Sequence, residues 1–151
     1  RGTGHNDMAT YSERGDDWLE NLNRITQKIG SSRALLPQPI IDFDAQNEIG
    51  IISFGSNDSA VEEGRDRLAA EGIGTNYLRV RALPLAASVK EFIFKHKHVY
   101  VVENNHDGQL AQLIRMETAE DTTHMISLPL GDTLPMTAKW IFESVTQWEN
   151  K

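Results

Sequence analysis

Short apolar runs alternate with amphipathic stretches along residues 40–151. Five apolar runs predict strands: PIIDF, EIGIISFG, TNYLRVRAL, HVYVVEN and HMISLPL. Four stretches with helical periodicity follow the second to fifth runs: SAVEEGRDRLAAEG, AASVKEFIFKH, DGQLAQLIRMET and LPMTAKWIFESVTQW. Strands that alternate with helices are typical of a largely parallel sheet covered on both faces. The pattern predicts a three-layer α/β/α domain with a mostly parallel five-stranded sheet, in which PIIDF forms one antiparallel edge strand.

A separate amphipathic helix is predicted before this domain. From Asp17 onward, four apolar residues recur at helical spacing, and Gly30 follows the last turn. They are Trp18, Leu22, Ile25 and Ile29. The two prolines of SSRALLPQP disfavour regular pairing and indicate a linker. We therefore expect an arm over residues 1–39 and a globular domain over 40–151.

Composition narrows the chemistry that this chain can perform. Its 151 residues are 39% hydrophobic and 25% charged, which suits one compact domain with an arm. The chain contains no cysteine, which excludes a disulfide, a thiolate nucleophile and an iron–sulfur cluster ligated from within it. The net charge of -7, without a basic cluster, argues against nucleic acid as a partner.

Targeting signals are not evident in the sequence. No stretch approaches the roughly 18 to 20 apolar residues of a membrane span, and the polar N-terminus does not resemble a signal peptide. We therefore expect a cytoplasmic protein with no membrane partner. The chain also lacks an initiator Met, so we expect a piece of a longer polypeptide, whether natural or cut.

A polar cluster after the run VYVV is the strongest local candidate for a site. Glu103, Asn104, Asn105, Gly108 and Gln109 lie where parallel sheets place ligands or partners, at the carboxyl end of a strand. The Glu103 carboxylate either faces a neighbouring domain or cofactor, or caps the next helix by accepting backbone N–H groups. Both alternatives stay open from the residues alone.

Two other polar segments favour structural roles over chemistry. Residues 55–59 (GSNDS) could hold an anion at a helix start, but they lack a phosphate-binding fingerprint, so helix capping is the expected role. His96 and His98 alternate at the entrance of a strand. Their spacing is not specific for a metal, and we expect both to be solvent-exposed.

Two arginines of the run NYLRVRAL share one predicted strand face. Arg79 and Arg81 alternate with Leu78, Val80 and Ala82, which face the other side. At an interface their planar guanidinium groups would suit carboxylate partners. A solvated sheet edge explains the pattern equally well.

These segments together resemble one known family. RGTGHN, GIISFGSNDSAVEEGRDRLAAEGI, YLRVRALP and VYVVENNHDGQLAQLIR occur in the order found in the alpha subunit of 2-oxoacid:ferredoxin oxidoreductases, especially the 2-oxoglutarate type. The resemblance covers nearly the whole chain and is most specific in VVENNHDGQL. The segment Gly131–Pro135 departs from the family's Gly-x-Pro spacing. The resemblance implies a transketolase C-terminal-like domain that follows a pyrimidine-binding domain.

The resemblance also implies the chemistry of the whole enzyme. Such enzymes decarboxylate a 2-oxoacid on thiamine diphosphate and Mg, pass electrons through an iron–sulfur cluster to ferredoxin, and acylate coenzyme A. The cofactors lie between the N-terminal part of alpha and the beta subunit, or in beta and accessory parts. We therefore expect no cofactor or metal on this chain and no catalytic residue. His5 and Asn6 would lie nearest to the active region, without a catalytic role.

Two alternatives remain at this stage. The chain could be a free-standing regulatory or small-ligand-binding α/β domain that uses residues 55–59 as an anion site. It could also be the C-terminal domain of another thiamine enzyme, such as a transketolase or a dehydrogenase E1 beta chain, because the resemblance implies that these proteins share the fold. The sequence does not name the 2-oxoacid.

Overall fold

A computed structural model describes residues 4–150 and divides the chain into two compact units, of which one ends at Leu36 and the other begins at Pro37. The first unit contains helix α1 (Gly15–Ser32), followed by a short 3-10 turn at Arg33–Leu35. This helix buries no residue. Its apolar stripe is 44% to 54% exposed at the four predicted positions, Trp18, Leu22, Ile25 and Ile29.

The second unit is built on one five-stranded sheet. Its strands are β1 (Ile40–Asp42), β2 (Ile49–Phe54), β3 (Thr75–Val80), β4 (His98–Glu103) and β5 (Met125–Pro129). The strand order is β1-β3-β2-β4-β5. All neighbours pair in parallel except β1 and β3, which are antiparallel. The predicted sheet and its antiparallel edge strand are therefore confirmed.

Four helices cover the two faces of this sheet. They are α2 (Asp58–Ala70), α3 (Ala87–Phe94), α4 (Gln109–Glu117) and α5 (Ala138–Glu149). Helices α2 and α5 share one core cluster with Ile51 and Tyr100, whereas α3 and α4 share another with Ile52 and Val101. Successive strand residues point to opposite faces, so β2 and β4 contribute to both cores and are buried along most of their length. This is the predicted three-layer arrangement.

The structure corrects the expected environment of His96. This residue lies between α3 and β4, and it is 6% exposed instead of solvated. Its Nδ1 donates to the Phe92 carbonyl oxygen at 2.6 Å, and its Nε2 accepts from the Asn76 amide at 2.8 Å. Burial lowers the pKa of His96. The prediction was wrong because β4 begins only at His98, so the two histidines do not share a strand.

Other side chains also differ from their predicted environments. His98 is half-buried and lies 2.9 Å from the Glu149 carboxylate. Ala69 lies in the predicted helix α2 but is exposed, and Trp148 of α5 is 43% exposed. Amphipathic periodicity identified the correct helices, but the outer residues of each apolar stripe fall at the margin of the core.

Residues 4–150 include no helix that combines the length and the apolar character needed to span a membrane.

Candidate functional site

The polar turns after β2 and β4 lie at the same edge of the sheet. Strand β2 pairs with β3 on one side and β4 on the other, and all three run parallel. The helix after β2 packs on one face, and the helix after β4 packs on the other. In open α/β sheets such a reversal opens a crevice at the carboxyl ends of the strands.

Glu103 ends β4 with its side chain fully buried. One carboxylate oxygen accepts the backbone N–H of Leu110 at 2.7 Å and the side-chain amide of Asn105 at 2.6 Å. The other oxygen accepts the backbone N–H of Ala111 at 3.1 Å. A carboxylate at a helix N-terminus satisfies free donors and complements the helix dipole. The geometry matches the capping alternative, because these contacts turn the carboxylate inward.

Asn105 and Gly108 complete the turn into α4. The Asn105 side-chain oxygen accepts backbone N–H groups of Gly108 at 2.7 Å and Gln109 at 3.3 Å. Gly108 adopts φ 65°, and a Cβ placed there would lie 2.5 Å from the Ser127 hydroxyl oxygen. Glycine is therefore required at this position for two reasons: its backbone conformation and its small size.

The remaining members of the predicted cluster face outward. Asn104 is exposed and donates its side-chain amide to the Leu134 carbonyl oxygen at 3.2 Å. Gln109 is exposed in the first turn of α4. Any role of these two residues at an interface stays a prediction.

The turn after β2 is held by a different contact. Residues Gly55–Asn57 form a 3-10 turn, and Asn57 caps α2 with no side-chain hydrogen bond. Asp58 instead accepts the Tyr77 hydroxyl at 2.9 Å and the Arg79 guanidinium at 2.8 Å. The expected side-chain capping by this segment was therefore wrong. An anion site here is disfavoured, because the Arg79 guanidinium is already paired with the Asp58 carboxylate, whose negative charge would repel an anion.

Burial and the hydrogen bond to Asp58 both raise the pKa of Tyr77. The phenol therefore stays protonated at neutral pH and keeps donating to Asp58. This contact and the Arg79 ion pair connect the start of α2 to β3.

Arg79 and Arg81 have different environments. Arg79 is half-buried and also donates to the Gly55 carbonyl oxygen at 3.1 Å. Arg81 follows the end of β3 and is exposed along a groove of about 580 Å³. Any role of either arginine at an interface stays a prediction.

The predicted residues of the arm lie in the first unit. His5 forms a single antiparallel bridge with Tyr11, and its carbonyl oxygen accepts from the Asn21 side chain at 2.6 Å. The Asn6 side-chain oxygen accepts the backbone N–H groups of Met8 and Thr10. Residues 1–3 of the family-like segment RGTGHN lie outside the described part.

The candidate residues were also considered as ligands for a metal ion. Across residues 4–150, no three His, Cys, Asp or Glu side chains are placed to share a metal ion.

The sequence did not identify two residues that contact these turns: Ser127, which lies against Gly108, and Tyr77, which donates a hydrogen bond to Asp58. No sequence signal could have identified them, because both meet the turns only through strand pairing.

The fold and its strand-end turns define a transketolase-like α/β domain. One structural neighbour is a split-gene transketolase, described as an inactive beta4 tetramer. The match covers 73% of this chain and 40% of the transketolase chain, at a TM-score of 0.55. The identity of 17% shows the shared fold alone. No protein-family model matches the sequence.

More specific relatives are enzymes that use ferredoxin. The alpha subunit of 2-oxoacid:ferredoxin oxidoreductase 2 from Aeropyrum pernix is 32% identical over 82 residues, which are 53% of this chain and 13% of the relative. The 2-oxoglutarate:ferredoxin oxidoreductase from Magnetococcus marinus, solved with 2-oxoglutarate, coenzyme A and succinyl-CoA bound, matches 97% of this chain at a TM-score of 0.82 and 25% identity. The match spans 26% of the Magnetococcus chain.

A third relative is close to this chain in extent. The alpha chain of a probable 2-oxoacid ferredoxin oxidoreductase from Thermoplasma acidophilum matches 76% of this chain and 98% of its own, at 25% identity and a TM-score of 0.50. The resemblance to 2-oxoacid:ferredoxin oxidoreductase alpha subunits is therefore confirmed. The chain spans about an eighth of the Aeropyrum subunit and about a quarter of the Magnetococcus chain.

Proposed function

We propose that this chain is a C-terminal assembly domain of the alpha subunit of a 2-oxoacid:ferredoxin oxidoreductase. The whole enzyme would oxidatively decarboxylate a 2-oxoacid, with 2-oxoglutarate as the favoured substrate, form acyl-CoA and reduce ferredoxin. The observation that carries this proposal is the match along 97% of this chain to only 26% of the Magnetococcus chain. A domain that accounts for a quarter of a related polypeptide needs the rest to act.

The chemistry of the residues supports a role without reactive groups. Thiolates are the usual ligands of iron–sulfur clusters, and the chain has no cysteine, so its residues do not fit such a cluster. The buried Glu103 carboxylate is committed to the start of α4. We therefore assign thiamine diphosphate, Mg, the cluster and the coenzyme A site to other parts of the complex.

The partners follow from this assignment. The remaining N-terminal part of alpha and the beta subunit would contact this chain, and ferredoxin would receive electrons from the complex. Two surfaces suit such contacts: the apolar stripe of α1 and the exposed residues around the end of β4, including Asn104. The arm over 1–39 and the cytoplasmic location stay part of this proposal.

Reconstitution tests the assembly role directly. The chain would be assayed alone, and then together with the remaining alpha polypeptide and beta, using 2-oxoglutarate, coenzyme A and a viologen dye as electron acceptor. We expect no turnover from the chain alone and co-purification with its partners. Turnover by the isolated chain would refute the proposal, as would failure to associate with either partner.

Surface variants refine this experiment. Leu22→Ser and Ile25→Ser on α1 should weaken association, because they remove apolar area from the stripe. Thr26→Ser, which lies on the same helix, is the matched control.

A further inference from the structure

A groove lies at the carboxyl edge of the sheet, between the ends of β2 and β3 and the start of α4. Six apolar residues line it: Phe54, Val80, Ala82, Leu83, Leu110 and Leu113. Its volume of about 580 Å³ is that of a small-molecule pocket. Phe54 and Leu83 are 40% and 57% exposed at this edge, so apolar surface there is left uncovered.

Two polar side chains also line the groove, and both lack a partner within residues 4–150. They are the Arg81 guanidinium and the Gln109 carboxamide. The other polar members of the same predicted set are already engaged: Arg79 with Asp58, Glu103 with α4, and Asn104 with Leu134. The Arg81 and Gln109 side chains therefore line the same groove without a partner of their own in the described part of the chain.

The charge of the groove selects the kind of ligand. Its lining includes one cation and no acidic residue, although the chain carries a net charge of -7. A guanidinium group pairs with a carboxylate through two parallel hydrogen bonds, and a carboxamide can donate one more. A single cation suits one negative charge better than the two charges of a phosphate. The apolar lining suits a hydrocarbon body next to that charge.

We propose that this groove binds a small monocarboxylic acid with an apolar body. The carboxylate contacts Arg81 and Gln109, and the hydrocarbon packs on the apolar lining. Gly55 also lines the groove. The anion role considered for residues 55–59 is nevertheless not part of this proposal, because Asp58 already neutralises Arg79. It does not depend on the assembly role, because binding is measured on this chain alone.

Three probes of equal shape test the proposal: 4-methylpentanoate, its neutral amide and the corresponding amine. Each is titrated into the ¹⁵N-labelled chain, and backbone shifts are followed by NMR. We expect saturable shifts in the groove lining with the acid, about tenfold weaker binding of the amide, and no saturation with the amine. Equal binding of all three probes, or shifts spread over the whole chain, would overturn the proposal.

Matched variants separate the site from general electrostatics. Arg81→Ala should weaken binding of the acid about tenfold, and Arg81→Glu should reverse the preference toward the amine. Arg67→Ala removes the same charge from an exposed position on α2 that does not line the groove, and it should change nothing. An equal loss in both alanine variants would refute the site.

A second residue and a second kind of ligand complete the test. Gln109→Ala should weaken the acid severalfold without affecting the fold, because its side chain is exposed. An acetylated, amidated Leu-Glu-Leu peptide supplies the same chemistry from a protein. Tighter binding of this peptide than of the free acid would overturn the small-molecule assignment and indicate a protein segment instead.

Discussion

The turns after β2 and β4 begin with similar polar sequences and occupy the same edge of the sheet, but they start their helices in different ways. After β4, Glu103 and Asn105 accept the first backbone N–H groups of α4. After β2, no side chain caps α2, and Asp58 reaches across to β3. The polar side chains of the β4 turn therefore bond to the helix that follows them. In the β2 turn, Asp58 at the start of α2 bonds to the neighbouring strand β3 instead.

The difference shows how burial decides the role of a carboxylate. Glu103 is fully buried, so its hydrogen bonds replace the hydration that the carboxylate has lost. Removing any of them should therefore lower the free energy of unfolding substantially. The Asp58 side chain is 31% exposed, so water can replace part of what Arg79 supplies. The β4 turn should therefore be the more sensitive of the two to substitution.

The largest effect is expected for Glu103→Ala. It leaves the N–H groups of Leu110 and Ala111 without an acceptor in a buried site, at a cost of about 3 kcal/mol in the free energy of unfolding. Glu103→Gln should cost about 2 kcal/mol, because the amide keeps one acceptor. Urea denaturation measures both. Glu62→Ala, an exposed change on α2, is the control; a loss for Glu103→Ala no larger than for this control would contradict the capping role.

Each of the two turns contains a glycine with positive φ, and these two positions sharpen the comparison. Gly108→Ala adds backbone strain and a clash with the Ser127 hydroxyl, and we expect a loss of about 2 kcal/mol. Gly55→Ala has similar strain at φ 69° but no atom within 4 Å of its new Cβ, so about 1 kcal/mol is expected. Thermal unfolding can rank them.

A double variant identifies the steric part of the Gly108 effect. Adding Ser127→Ala to Gly108→Ala removes the clashing oxygen and should recover part of the lost stability. If Gly55→Ala proves the more costly of the two single changes, crowding at the β4 turn is not the deciding factor.

The Asp58–Arg79 pair should contribute less. A double-mutant cycle with Asp58→Asn and Arg79→Ala should give a coupling energy of about 0.5 to 1 kcal/mol, since both side chains are about one-third exposed. Added salt should reduce this coupling. A coupling energy above that of the Glu103 contacts would reverse the order proposed for the two turns.

The smallest effect concerns His96, a buried polar group that precedes β4 at its opposite end. Its pKa is lowered in the folded state, so the unfolded chain binds the proton more readily. Its contribution to stability is complete above the unfolded pKa of about 6.5 and declines as the pH falls through that value. His96→Gln should flatten the pH dependence of stability in this window. A pH dependence of stability that His96→Gln leaves unchanged would contradict this role of His96.

Local patterns in the sequence were sufficient for the elements of the fold. The apolar runs and amphipathic stretches predicted α1, all five strands and four further helices, because strand and helix periodicities are properties of neighbouring residues. The motif VVENNHDGQL also carried the resemblance that the comparisons confirm. The antiparallel edge strand was predicted from its position beside a second apolar run.

The candidate site was only partly predictable. The sequence identified Glu103 and its neighbours but left two roles open, because capping depends on how the chain turns into α4. The exposed environment predicted for His96 was wrong, because its burial depends on contacts with Phe92 and Asn76. Capping by the segment 55–59 failed for a similar reason, since Asp58 found partners on β3.

The sequence by itself determined which strands and helices follow one another along the chain, the absence of thiolate chemistry and the resemblance to ferredoxin-dependent alpha subunits. Only the tertiary structure decided which polar groups are buried, which are paired and which remain free. Arg81 and Gln109 meet at one groove because β2 lies between β3 and β4 in the sheet. Such a meeting depends on strand order, and no local pattern in the chain encodes it.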